Sequence, residues 1–274
     1  MNTSASTTPY QVRTYNPSTQ SENRMHSDDV ARQFGFKGGL VPGVTVFSHM
    51  TQPLVARYRE AWLARGTADV SFGKPAYEGE LLSIHTANSG TGSHTVTCLN
   101  PQGVELARMS ATLPSASAQP DPRGNIPPAP PLRERYVVTW DLMEVGTPFP
   151  ALAWTPTREE NLQWCRDLRD ELPLYGEGTA PFLHPGLIQR QANLVLRTRF
   201  ILPAWIHAAS RMSFYAALRV GPSYEVRAIP EEKWNHKGHE FVRLYVAIRC
   251  EQRTVVEILH TAIFRPRVRE VKPA

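Results

Sequence analysis

His26 is the residue of this 274-residue chain best suited to moving a proton. An imidazole titrates near neutrality, so it can serve as base or acid at physiological pH. It lies in a polar cluster with Ser21 and Asn23, and a glycine-led apolar segment beginning at Pro42 and Gly43 follows closely. A glycine at a helix start leaves the first backbone N–H groups unobstructed, which suits them to holding a carbonyl oxygen that gains negative charge. A proton acceptor beside an oxyanion site is the chemistry these residue types offer.

The surrounding elements have to bring the two together. Ser27, Asp28 and Asp29 predict a helix start, with the serine oxygen accepting an orphan N–H and the carboxylates favouring the positive end of the dipole. That helix should stop at Gly35, and residues 36–39 form a glycine-rich connection. Val44, Phe47, Met50, Leu54 and Val55 mark one apolar stripe at helical period. The spacing predicts a helix from 42 to about 64, with Pro53 accommodated by a kink or a break and Gly66 as the stop. A disordered lead over 1–9 and a first strand over 10–15 precede the cluster. Strands are expected at 69–73, 80–87, 94–99 and 104–113, joined into hairpins by the turn residues of 88–93 and 100–103. Residues 114–133, rich in proline, read as an extended linker that does not pack.

The pattern then recurs. Thr157 and Glu160 form a capping box at the start of a helix over 157–168. Residues 170–175 and a glycine-containing loop lead to His184, Pro185 and Gly186, which open an apolar helix with Leu187, Ile188, Leu194, Val195 and Leu196. Both halves run Pro-Gly, helix, Phe, six residues and Gly, through Phe72 and Gly79 in the first and Phe214 and Gly221 in the second. We read this as an internal duplication, with repeats over 10–113 and 134–270 and further strands at 224–229, 241–250 and 255–264.

The stretch over 21–50 resembles the signature of the MaoC-like dehydratases, or R-specific enoyl-CoA hydratases. Their pattern is Asp, any residue, Asn, Pro, any residue, His, followed by a short helix and a Gly-rich turn into a helix that usually begins His-Gly. Asn23, His26 and Gly43 fall on the Asn, the His and the helix-start glycine. Ser21 stands at the aspartate, Arg24 at the proline and Pro42 at the histidine before the glycine. In the second half Asp170 and Pro173 keep the Asp and Pro, while Leu172 and Tyr175 stand at the Asn and His. His184 lies one residue off the family's His-Gly. Neither half carries the full set. The resemblance implies an α+β double hotdog fold: two tandem repeats, each an antiparallel sheet wrapped around a long central helix. It also implies a hydro-lyase acting on an acyl thioester, in which Asp and His activate water and the glycine N–H stabilises the enolate.

On this reading His26, with Asn23 and Ser21, forms one candidate catalytic set. Ser21 can hydrogen-bond but cannot replace a carboxylate as base, and Glu22 points away if its segment is extended. Asp170 and Tyr175 form the other, with tyrosine as proton donor or oxyanion binder. Gly43, Gly186 and His184 are the oxyanion or substrate-binding candidates. Each has a plainer reading: His26 as a buried polar tie, Tyr175 as a lid on the core, the glycines and His184 as packing necessities. His236 and His239 flank a glycine-containing hairpin tip and read as a turn rather than a metal site. His49 and His207 have no identifiable partner in the sequence.

Composition bounds the rest. Hydrophobic content of 41% and charged content of 20% fit an ordinary globular protein. The net charge of +5 comes from scattered arginines, which suits an anionic small molecule at least as well as nucleic acid. Arg190, Arg197 and Arg199 can meet the phosphates of coenzyme A or form the solvated face of a helix. Cys98, Cys165 and Cys250 are widely spaced, as in a reducing compartment. No apolar run approaches the roughly 18 residues that span a bilayer, and the first twenty residues lack the apolar core of a signal peptide. The expectations are a cytoplasmic protein with no metal, no nucleic-acid or membrane partner, and no cofactor beyond coenzyme A as part of the substrate. A homodimer is expected, although a double hotdog chain can close its own pseudo-dimer. The alternative is a non-hydratase hotdog protein that binds acyl thioesters or acts on another small molecule, its Asp/His pair lost.

Overall fold

The computed structural model describes residues 8–127 and 129–268. The first half runs β1 (Tyr10–Arg13), α1 (Asp28–Gln33), α2 (Gly43–Tyr58), α3 (Glu60–Arg65), β2 (Thr67–Phe72), β3 (Leu81–Gly90), β4 (Ser93–Leu99) and β5 (Glu105–Thr112). The second runs β6 (Tyr136–Val137), β7 (Leu152–Trp154), α4 (Arg158–Leu168), α5 (Pro185–Leu196), β8 (Phe200–Ile201), β9 (Ile206–Phe214), β10 (Tyr224–His236), β11 (His239–Cys250) and β12 (Arg253–Arg265). Ten strands form one sheet in the order β1-β3-β4-β5-β2-β9-β12-β11-β10-β7. Read inward from either edge, the two repeats contribute the same sequence of strands, as a duplication requires. They meet at an antiparallel seam where Thr67 of β2 faces Ser213 of β9 and Ser71 faces Ala209.

The sheet wraps the two long helices, which pack on each other. Val44, Val46, Phe47, Met50, Leu54 and Val55 of α2 are all buried, as are Leu187, Ile188, Ala192, Val195 and Leu196 of α5. A helix enclosed by a sheet and a partner helix needs apolar residues beyond a single stripe. Pro53 stays inside α2, and the break falls later, at Arg59, where φ is 53°. Among the described residues no helix is long and apolar enough to cross a membrane.

Two local expectations need correction, and one strand is added. Ser27 does sit at the start of α1, but its hydroxyl donates to the Arg24 carbonyl (2.7 Å) instead of capping the helix. The stretch over 114–133 packs rather than spans. Asp121 N–H donates to Glu257 (2.8 Å), Arg123 pairs with Glu231, and Ile126 is buried against Tyr245 and Ala247. Its few polar and apolar anchors fit the charged outer face of the second sheet half, which composition alone does not reveal. The seam strand β9 was also not anticipated, since IHAASRMSF has neither clean alternation nor β-branched enrichment.

The helix-start glycines are dictated by packing across the repeats. A Cβ on Gly43 would lie 2.9 Å from His207 Nδ1, and one on Gly186 would lie 1.7 Å from Ser48 Oγ and 3.0 Å from Ser48 Cβ. Gly186→Ala therefore forces Ser48 and the neighbouring Trp164 to shift, and is expected to cost about 1–3 kcal/mol in chemical denaturation. An unchanged denaturation midpoint would show that α2 and α5 are less tightly apposed than described here.

Candidate active site

Asn23 and His26 are brought together by a single turn of 3₁₀ helix, Arg24–His26, for which Asn23 is the N-cap. Asn23 Oδ1 accepts from Met25 N–H (3.3 Å) and from Trp205 N–H (3.0 Å). Its Nδ2 donates to Trp205 O (3.0 Å) and to His26 Nε2 (3.1 Å). The two acceptor bonds fix which end of the amide faces the imidazole. His26 Nδ1 lies 2.7 Å from Leu40 O, and a carbonyl only accepts, so Nδ1 carries the proton and Nε2 the lone pair. Burial lowers the His26 pKa, against a smaller upward pull from the Leu40 carbonyl. His26 is thus a neutral imidazole of fixed tautomer.

His26 and Asn23 line a cavity of about 230 Å³ with Pro42 and Gly43 at the start of α2. Phe36, Leu40, Val46, Phe72, Trp205 and Ile206 make most of its wall apolar, and Lys74 and His239 add polar groups. His207, two residues beyond Trp205 on the seam strand, lines the same cavity. The sequence offered no partner for His207. The structure supplies one: its Nε2 lies 2.8 Å from Ser210 Oγ, which lies 3.2 Å from His260 Nδ1. An alternation signal in β9 would have flagged the pair, but alanines interrupt it.

A smaller pocket of about 100 Å³ adjoins the first and shares Asn23, His26, Pro42, Asn193 and Trp205 with it. Ser21, Glu22, Arg190 and Arg197 line it. Residues 18–22 turn instead of extending, so Glu22 faces the same pocket as His26. Its carboxylate is held by Arg135 (2.9 Å) and Arg197 (3.5 Å). Burial would raise its pKa, but Arg135 and Arg197 bring it below the usual range. Ser21 Oγ donates to the Asn23 carbonyl (3.1 Å), so it supports the turn. The bonds to the His26 ring run to Leu40 and Asn23, and neither comes from a carboxylate. Arg199 lies apart from both cavities and pairs with Glu144 (3.4 Å).

The second repeat assembles a different set. Gly186 N–H donates to His184 Nδ1 (3.0 Å), which leaves the proton on Nε2, 3.2 Å from Asp170 Oδ2. Asp170 Oδ1 accepts from Leu172 N–H (3.1 Å). The Tyr175 ring lies 4.7 Å from that of His184, and its hydroxyl has no hydrogen-bond partner among the described residues. Burial, then the charge of Asp170, pushes the Tyr175 pKa well above its ordinary value, so it stays a phenol. Asp170, Tyr175 and His184 are all buried and contribute nothing to the walls of either cavity. The Gly186 N–H is taken by His184, whereas among the described residues the cap position of α2, Pro42, offers no side-chain acceptor. His236 and His239 face each other across the Lys237–Gly238 turn.

Solved structures with this architecture are numerous. A protein from Chloroflexus aurantiacus described as a MaoC-domain dehydratase superposes at a TM-score of 0.62 with 14% identity, covering 97% of this chain and 99% of its own. A Mycobacterium tuberculosis protein described as having a double hotdog fold gives 0.61 and 14%, over 94% and 96%. The fold is the double hotdog of the MaoC-like dehydratases. A protein from Lactobacillus plantarum described as an oleoyl thioesterase also superposes, at 0.52 and 8% identity over 96% and 98%, so the same double hotdog frame is shared by proteins of more than one description. No family model and no curated sequence matches the chain.

The double hotdog core buries histidines as neutral groups. Burial lowers the pKa of His49 to about 3, with the neighbouring His184 adding to the effect and Asp170 opposing it. Burial does the same for His260, also to about 3. These values lie below the 6.5 of an unfolded chain, so between the two the unfolded state binds protons that the folded state does not. Stability is expected to fall as pH drops below about 6.5, each histidine contributing a slope of up to about 1.4 kcal/mol per pH unit. Urea titrations at pH 4–7 check this, and His260→Gln should flatten the dependence. An identical slope in that variant would mean His260 protonates within the folded state.

Proposed function

We propose that the protein is a hydro-lyase acting on an acyl thioester, and that the cavity beside His26 of the first repeat, walled by both repeats, holds the working site. One observation carries this reading: His26, the start of α2 at Gly43 and an apolar cavity share one wall. In this reading an unsaturated acyl chain occupies the apolar part, with the thioester carbonyl at the Gly43 amide and the β-carbon near His26. Hydration then proceeds in balance. His26 Nε2 takes a proton from water as the oxygen bonds to the β-carbon. The π electrons move onto the thioester oxygen as an enolate, held by the Gly43 N–H, and the proton returns from His26 to the α-carbon. To act, the imidazole must exchange the Asn23 amide for water at Nε2. The lowered pKa keeps it in the basic form at neutral pH, and the acid limb of kcat/KM should fall below pH 6.5. Coenzyme A or a carrier arm enters as part of the substrate, and Arg190 and Arg197 at the smaller pocket offer cations for its phosphate.

A second reading is an acyl-thioester binding protein without hydratase activity. It is favoured by the absence of a carboxylate among the hydrogen bonds of His26, whose Nε2 already receives the Asn23 amide. Thioester hydrolysis by a helix carboxylate is disfavoured, because neither α2 nor α5 contains Asp or Glu.

Hydration of short and medium trans-2-enoyl-CoA thioesters, followed by loss of ultraviolet absorbance, separates the readings. His26→Ala is expected to lower kcat by about 10²–10⁴-fold. Asp170→Asn should lose stability but keep most of its turnover per folded molecule. Binding without turnover by the wild type, at every chain length, transfers the assignment to the second reading. Activity abolished by Asp170→Asn and not by His26→Ala would place the site in the other repeat.

A further inference from the structure

The seam strand carries a polar chain that the proposed mechanism does not use. His207, Ser210 and His260 lie on β9 and β12, joined through the Ser210 hydroxyl at 2.8 and 3.2 Å, with the two imidazole centroids 4.4 Å apart. All three are buried, and His207 is only 6% exposed. Among the described residues the outer nitrogens, His207 Nδ1 and His260 Nε2, have no hydrogen-bond partner. A buried polar atom left unpaired costs free energy comparable to a lost hydrogen bond, so its persistence calls for a ligand or a role. His207 Nδ1 lies against the start of α2: it is the atom nearest to the position a Cβ on Gly43 would take, at 2.9 Å. Both residues line the same cavity.

We propose that His207 is a second oxyanion donor, giving a hydrogen bond from Nδ1–H to the thioester carbonyl oxygen beside the Gly43 amide. The proposal rests on the acyl-thioester reading of this cavity. It needs the tautomer with a proton on Nδ1, which the Ser210 hydroxyl allows because it can donate to either imidazole. In that arrangement His260 Nδ1–H donates to Ser210 Oγ and the Ser210 hydroxyl donates to His207 Nε2, which leaves Nδ1 as the protonated nitrogen. Burial first, and then the neighbouring His260, keeps His207 neutral, with the Ala209 backbone opposing in part. A neutral imidazole donates without becoming a proton source, so no covalent step is added. Gly43 then has two roles that one residue type satisfies. It exposes its own N–H, and it leaves room for the imidazole. Ser210 and His260 are positioning residues in this scheme.

The test uses two substitutions that divide the imidazole. His207→Asn keeps a donor near the Nδ1 position, and His207→Gln keeps one near Nε2 and loses Nδ1. For trans-2-enoyl-CoA hydration, His207→Gln is expected to lower kcat by about 100-fold with little change in KM. His207→Asn should stay within about tenfold of the wild type, and Ser210→Ala should lower kcat by about tenfold. Binding of 2,4-hexadienoyl-CoA gives a readout without turnover: a polarised thioester carbonyl shifts its absorption to longer wavelength. The wild type and His207→Asn should show that shift, and His207→Gln should not. Circular dichroism and thermal melts confirm that each variant is folded. Equal activity and equal spectral shift in both His207 variants would overturn the proposal while leaving the hydratase reading intact. A wild type that shifts the dienoyl spectrum without hydrating enoyl-CoA would sink the hydratase reading and keep the donor. No binding of either thioester by the wild type would overturn both.

Discussion

The amide of Asn23 is the point on which the candidate site depends. Four hydrogen bonds use both of its ends: two reach the backbone of Trp205 in the second repeat, one closes its own 3₁₀ turn, and one meets His26. A buried amide saturated in this way has one orientation and little freedom. It ties the loop that carries His26 to the seam strand that carries His207. The cavity is therefore a property of the two repeats together, and neither repeat alone would hold its walls at these distances. Replacing Asn23 by an apolar residue would strand the Trp205 N–H and carbonyl as well as freeing His26, so its effect would spread across the seam.

The two repeats use their polar residues differently. In the second, Asp170 and His184 form a buried pair whose remaining bonds end on backbone, Leu172 N–H on one side and Gly186 N–H on the other. The imidazole at the α5 start fills the space above the helix, and Ser48 packs against Gly186 from α2. In the first repeat Pro42 stands at the corresponding helix start, so no side chain caps the Gly43 N–H and the space stays open as a cavity. The fold thus keeps a closed polar knot at one pseudo-equivalent position and an open cleft at the other. Packing explains the asymmetry without recourse to two active centres.

The fold was largely legible in the sequence because its signals are local and periodic. Gly43 and Gly186 start the two helices, Thr157 caps α4 through Glu160 N–H (3.1 Å), and hairpin turns fall where glycine and asparagine cluster. Asn23 and His26 were legible through their resemblance to the dehydratase signature. What escaped is what depends on contacts between distant segments. His184 was read as an oxyanion or substrate-binding candidate or else as a packing residue, and its bond to Asp170 closes a loop that no motif encodes. His207, Ser210 and His260 come from two strands fifty residues apart, and β9 carries too much alanine and serine for alternation to show. The segment over 114–133 has the composition of a free linker, yet it is held by partners such as Glu231 and Glu257 whose outward placement only the sheet register determines.

The electrostatics of the cleft follow from the burial of its side chains. Burial removes charge from His26, His207 and His260, and the arginine-bound Glu22 keeps its charge in the adjoining pocket. The main cavity is therefore walled by apolar groups and oriented neutral dipoles, with Lys74 as a cation in its lining. Such a wall holds a neutral thioester poorly compared with water, but it interacts more strongly as negative charge develops on the carbonyl oxygen, because fixed donors need no reorganisation in a low dielectric. A site of this kind loses the base strength that a carboxylate would add and retains the part of catalysis that comes from preorganised donors. On the hydratase reading proposed above, Ser21 at the position of the resembled family's aspartate leaves His26 as proton acceptor with no carboxylate bonded to its ring, and the fixed donors carry more of the catalysis.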